Sequence, residues 1–255
     1  MPEQQMIIAT VIFLVTYAII VSEKIHRTVA AFSGAALVLI LKIIDPETAI
    51  HAIDFNTIGL LVGMMIIVGI TRHTGIFEYL AIRAAKGSKG EPFQIIAALS
   101  LITALLSAFL DNVTTVLLIV PVTFAIARQL ELTPLPFLVA EILASNIGGT
   151  ATLIGDPPNI MIGSATTLGF MDFVFNLTPV VVVVYVVTIF IIRLIYRKQL
   201  VTRPELQAGI MKLNEQEAIK DTVLLRKSLI VLSLTVVGFI LHQYVHLESS
   251  VIALA

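Results

Sequence analysis

The sequence has 255 residues, 58% of them hydrophobic and 13% charged, with a formal net charge of -1 at pH 7. A soluble domain carries about 25% charged residues, so these charges are too few for a water-facing surface, and the expected solvent is lipid. The chain holds no cysteine, which excludes disulfides, thiolate metal sites and cysteine nucleophiles.

The N-terminus Met1-Pro2-Glu3-Gln4-Gln5 lacks the basic region of a secretory signal, so the apolar run that follows reads as a retained span. A crossing helix needs about 20 mostly apolar residues. That length predicts spans over 6–22, 28–44 and 57–70, separated by polar breaks such as Ser22-Glu23-Lys24 and Asp45-Pro46-Glu47. A short interfacial helix is expected over 75–85. Residues 93–129 read as a re-entrant hairpin with its tip near Asp111-Asn112, and 134–166 as a helix broken between Gly148 and Asn159. A further span follows over 174–196, then a mixed-charge cytoplasmic linker or interfacial helix over 197–227. From Ser228 another span begins. The closing run Ser250–Ala255 resembles Thr28–Ser33, the opening of the second span. The fold class expected is therefore all-α membrane protein: residues 1–196 form the first half of an inverted-repeat transporter, and 228–255 start a truncated second repeat.

Basic residues collect on the cytoplasmic side. If the first span runs inward, then Lys24, Arg27, Arg72, Arg83, Lys86, Lys89, Arg128 and the 193–227 stretch all fall inside, and only Lys42 falls outside. The pattern requires that 93–129 enter and return on one side. The five histidines (His26, His51, His73, His242 and His246) lie in short connections or at span ends without metal-ligand spacing.

Ionisable groups at membrane depth cost about 2.5–3.5 kcal/mol each on insertion scales and mark function. Three stand out: Asp111, Glu141 and Asp156. In the run Ser107–Thr115, Asp111 or Asn112 is expected to cap the second hairpin helix, whose free N–H groups can hold an anion. Oxygens of Asn112, Thr114 and Thr115 suit Na+ or a polar substrate; the plainer alternative is a helix cap with back-bonded hydroxyls. In the run Ser145–Asn159, three glycines and Pro157-Pro158 should unwind the helix. Unwound backbone in a membrane must face protein or a water-filled cavity, so bare carbonyls beside Ser145, Asn146, Gly148, Gly149, Thr150, Thr152 and Asn159 become candidate cation ligands. Asp111 and Asp156 are candidate proton carriers. Glu141, one turn before Ser145, either carries protons or bonds a neighbouring helix.

The stretches Asp54–Thr57, Gly63–Ile67, Ser107–Thr115 and Asn146–Asn159 resemble the ion transporter superfamily. Within it they are most similar to the branch of arsenite permease (ArsB), NhaD-type Na+/H+ antiporters and the melanosomal P protein, with a citrate-transporter-like domain. The resemblance covers about residues 6–196. It implies paired hairpins and broken helices around a central site, with a mobile transport domain moving against a scaffold. In relatives that carry dicarboxylates with Na+ the hairpin tip reads Ser-Asn-Thr; here it is Asp111-Asn112-Val113-Thr114, and the extra carboxylate favours proton or cation exchange. Arsenic(III) prefers thiolates, which this chain lacks.

The expected function is secondary transport of a small inorganic ion or oxyanion coupled to H+ or Na+. A Na+-coupled di- or tricarboxylate symporter is the alternative, followed by a channel. An enzyme would need a nucleophile–base or metal constellation that the mid-membrane residues do not offer. No cofactor is implied, and no metal site beyond one for Na+. The expected partners are the lipid bilayer of the cell membrane, a small ion and a C-terminal repeat of the same polypeptide; a homodimer is a candidate assembly and nucleic acid is not a partner.

Overall fold

Every regular element in the computed structural model is helical among the described residues, 3–166, 168–245 and 247–255. The expectations for Met1, Pro2, Thr167 and His246 fall outside them. Met1–Asp54 and Phe55–Ala255 form two compact units.

In the first unit α1 (Glu3–Val21) packs on α2 (Arg27–Ile40). The close approach is at Gly34, where a Cβ would lie 2.4 Å from Thr16 Oγ1. Nothing on α1 is buried; Phe13, Leu14 and Tyr17 all face outward, as lipid allows and water does not. The span expected over 28–44 is cut short. Lys42 takes a left-handed φ of 53°, and its N–H reaches Leu39 O at 2.9 Å while Ile43 N reaches Val38 O at 3.1 Å. That pair of bonds closes the helix as a Schellman motif. The remaining 14 residues rise about 21 Å, short of a hydrocarbon core of about 30 Å. The short α3 (Pro46–His51) then starts at Pro46, with Asp45 as its cap. Thr48 donates to Asp45 from its amide at 2.8 Å and its hydroxyl at 2.7 Å. These bonds, the amide first, hold the Asp45 carboxyl below the usual range.

The second unit contains α4 (Phe55–Arg72), α5 (Ile76–Gly87), α6 (Pro92–Ser107), α7 (Asn112–Gln129), α8 (Leu135–Gly149), α9 (Pro157–Ala165) and α10 (Phe170–Tyr196). It continues with α11 (Pro204–Met211), a 3-10 turn at Glu215–Ala218, α12 (Thr222–Val245) and α13 (Ser249–Leu254). Its core is Leu60 and Val68 of α4, Ile95 and Leu99 of α6, Ile119 and Ile126 of α7, and Phe137 and Ala140 of α8. Among the described residues, five helices are long and apolar enough to cross a membrane: α1, α4, α7, α10 and α12. Pro121 does not interrupt α7. α12 begins at Thr222 rather than Ser228, because Asp221 Oδ1 caps it by accepting from Val223 N and Leu224 N, each at 2.9 Å.

The 197–221 segment does more than connect. Ile210 is fully buried. Thr202 donates to Leu130 O at 2.7 Å just past the end of α7, Arg203 pairs with Glu131 at 2.6 Å, and Gly90, just before α6, abuts Gln207. The outer ends of α6 and α7 therefore meet the same strap. Lys86 pairs with Glu215 and also donates to Leu213 O at 3.1 Å; the Lys86 ammonium draws the Glu215 carboxyl below its usual range. Lys220 N donates to Thr74 O at 3.0 Å. Beside it Gly75 has φ +82°, and a Cβ there would fall 1.7 Å from Ala218 O. Gly75→Ala is expected to lower stability by about 1–3 kcal/mol through strain and overlap, read as an earlier melting transition in detergent. A melt like wild type would mean that the strap is not docked there.

Candidate ion-binding site

α6 ends at Ser107, and the turn 108–111 reverses the chain into α7, which packs beside α6. Asp111 is the N-cap: its Oδ2 accepts from the amide and the hydroxyl of Thr114, both at 2.8 Å. Thr115 Oγ1 turns back to Asp111 O at 2.9 Å. The helix cap and a polar tip thus coexist, and the plainer alternative accounts for Thr115.

α8 carries the second cluster against the first. Ser107 Oγ donates to Ser145 O at 2.6 Å, Thr152 Oγ1 donates to Ala108 O, and Asn112 Nδ2 donates to Asn146 Oδ1 at 2.8 Å. The approach is so close that a Cβ at Gly148 would lie 2.1 Å from Ala104 O; one at Gly155 would lie 2.6 Å from Ser107 O. The structure corrects the reading of these glycines. Gly148 and Gly149 end α8 as regular, buried helix, and at Gly148 the missing side chain admits the α6 backbone.

The break itself covers 150–156. Its prolines do not unwind α9 but start it, with Pro157 in the first turn after Asp156 as N-cap. Two of the carbonyls expected to be bare there are occupied: Asn159 Nδ2 donates to Thr150 O at 3.1 Å and Thr152 O at 2.8 Å. Gly155 N donates to Thr152 Oγ1 at 3.2 Å. Ser145 Oγ is used on Ile142 O at 3.0 Å. A buried polar group needs such a partner, so Thr115, Ser145, Thr152 and Asn159 serve the frame, together with Gly148 and Gly149.

Asp111, Asn112, Thr114, Asn146, Thr150 and Asp156 remain exposed or half-buried. Asp111 and Asp156 stand at the N-caps of α7 and α9. Among the described residues no ion pair reaches either one. Asp111 and Thr114 also open on a cavity of about 190 Å³ whose other wall is Leu60, Leu61, Met64, Met65 and Val68 of α4. Those α4 residues were not among the candidates, although Gly63–Ile67 had carried part of the resemblance.

Two polar groups escaped sequence reasoning. Asn56 accepts from Ser250 N at 3.0 Å and donates to Ser164 Oγ at 3.0 Å, tying α4 to α9 and α13. Thr123 of α7 hydrogen-bonds Glu141 of α8, so Glu141 does bond a neighbouring helix. Neither pairing has a local signal, because the partners are far apart in sequence. Among the described residues no group of three or more His, Asp or Glu is arranged to hold a metal.

A family model described as "CitMHS: Citrate transporter" matches residues 17–255. The "46 kDa membrane protein" of Mycobacterium leprae is 48% identical over 252 residues, covering 97% of this chain and 59% of that protein. A Mycobacterium tuberculosis protein named as an uncharacterized transporter is 45% identical over 252 residues, 97% of this chain and 58% of its own. The human P protein is 49% identical over 167 residues, 64% of this chain and 20% of that protein. The chain thus spans under two-thirds of the length of these relatives.

Proposed function

The chain belongs to the CitMHS citrate transporter family, and from that premise we propose that it forms part of an ion-coupled secondary transporter carrying a small ion or oxyanion with Na+ or H+. Family membership and the five apolar helices make it a multi-pass integral membrane protein. The observation that carries the transport reading is the meeting of the 111–114 turn with the 146–156 break. Asn112 uses Oδ1 on Val113 N and one N–H on Asn146; Asn146 uses Oδ1 on Asn112 and one N–H on Ile142 O. An amide has two N–H donors, so each keeps one free for an oxyanion. Beside them Asp111 and Asp156 offer oxygens to a cation or proton. A cation next to an oxyanion leaves little net charge to desolvate during transport.

In this reading α6 and α7 are the re-entrant hairpin and α8–α9 the broken helix of a first repeat, with an inverted second repeat starting near residue 228. The tip carboxylate favours the antiporter and arsenite-permease branch over dicarboxylate carriers. A second reading, a carboxylate symporter, is favoured by the family description; such an anion would need cations between it and Asp111 and Asp156.

The test uses the full-length polypeptide in proteoliposomes with a pH-sensitive dye inside, under Na+, Li+, arsenite, succinate and citrate gradients in turn. Proton movement driven by Na+ or Li+ is expected. Accumulation of citrate or succinate without cation-for-proton exchange would move the assignment to the second reading, and no flux under any gradient would sink both.

A further inference from the structure

Glu141 is 1% exposed, and Thr123, its partner across the α7–α8 interface, is wholly buried. One carboxyl oxygen, Oε1, meets the Thr123 hydroxyl, whereas Oε2 is buried with no partner. Helices α6, α7 and α10 pack on α8. No ionisable side chain comes from α6, and none besides Glu141 from α8. From α7 comes Arg128, more than a turn past Thr123. From α10 come Asp172, which accepts from Gly169 N, and Arg193, which lies over the Phe93 ring. The tyrosines of α10 are Tyr185, engaged with Ala97 O and Ser100, and Tyr196 in the last turn. No cation among the described residues is paired with Glu141.

An ionised carboxylate enclosed this way would keep one oxygen with neither donor nor counter-charge, which burial punishes heavily. A neutral acid has a better solution. Thr123 has one hydroxyl proton and a second acceptor within reach, Ile119 O at 3.4 Å. If Glu141 donates to Thr123, Thr123 can donate to Ile119 O, and Oε2 carries no charge.

We propose that Glu141 is held as a carboxylic acid across the α7–α8 interface and carries the proton coupled to transport. The proposal rests on the transporter reading above. Because Glu141 is sealed, its proton can leave to water only when α7 and α8 part. On release, Thr123 turns its hydroxyl from Ile119 O to the carboxylate; on uptake, the exchange reverses. Proton transfer and helix movement thereby become one event, one turn away from Ser145 and Asn146.

Infrared difference spectroscopy on the full-length protein, wild type against Glu141→Gln at neutral pH, reads the acid directly. A carbonyl band of a buried carboxylic acid is expected in wild type and not in the variant. In proteoliposomes the same variant is expected to lose Na+-driven proton movement by about tenfold or more at equal amounts of folded protein. Absence of the band overturns the proposal. So does a band with unchanged proton movement in Glu141→Gln, which would make the acid structural only. If wild type carries Na+ but moves no protons, coupling through Glu141 is overturned; if no gradient drives any flux, the transporter reading itself falls, and the coupling with it. Should Glu141→Gln fail to fold, Thr123→Val decides: loss of the hydroxyl partner is expected to shift the wild-type band, and an unshifted band overturns the arrangement.

Discussion

Asp111→Asn in the full-length protein should abolish gradient-coupled flux while leaving the protein folded. Asn caps a helix about as well as Asp, so the bond to Thr114 N that starts α7 is retained in kind. What is lost is one negative charge. A unit charge about 4 Å from a cation contributes about 4 kcal/mol at an effective dielectric of about 20, which is several hundred-fold in ion affinity. A drop in flux of about 100-fold or more is therefore expected, with an unchanged elution profile in detergent. Asp111→Ala separates the two roles, because it also removes the cap at about 0.5–2 kcal/mol and should lower the folded yield as well. Normal coupled flux in Asp111→Asn would remove Asp111 from the site.

The largest effect on folding is expected from Gly148→Ala. The new methyl would sit 2.1 Å from Ala104 O. That neighbour is helix backbone and has no rotamer to change, so α6 and α8 must separate. Overpacking of this kind costs about 1–3 kcal/mol or more, and here it would also pull the Ser107 and Thr152 bonds apart. Little monodisperse protein should survive size-exclusion chromatography. Gly69→Ala is the control: nothing lies within 4 Å of a Cβ there, and removing a helical glycine should gain about 0.5–1 kcal/mol. Equal behaviour of the two variants would mean that the close packing of α6 on α8 is not real.

The turn at 107–115 was legible because a polar run flanked by two apolar helices marks the place where the chain reverses, and the Asp111 cap followed from local chemistry alone. The break in the second cluster was legible in existence and misplaced in detail. Glycine costs a helix only about 1 kcal/mol, so Gly148 and Gly149 stay helical when packing rewards it. Proline is well tolerated in the first turn, so Pro157 opens α9. The partners of Thr152 and Glu141 depend on which helices meet, and no periodicity in a single segment encodes that. The early end of α2 hung on one lysine in a left-handed conformation, a choice that nothing in an apolar run announces.

The interlock of α6 with α8 bears on which ions such a site would tell apart. Ala104, Ser107 and Ala108 are pinned to Ser145, Gly148, Thr152 and Gly155 by hydrogen bonds and by backbone contacts with no space left to close. Close-packed protein of this kind is nearly incompressible. In the proposed site the backbones that carry Asp111 and Asp156 adjoin that frame, which would limit how far their oxygens follow an ion of the wrong radius while α7 and α8 are together. Discrimination by size, Li+ against Na+ against K+, would then come from the stiffness of the mounting as much as from the donor atoms.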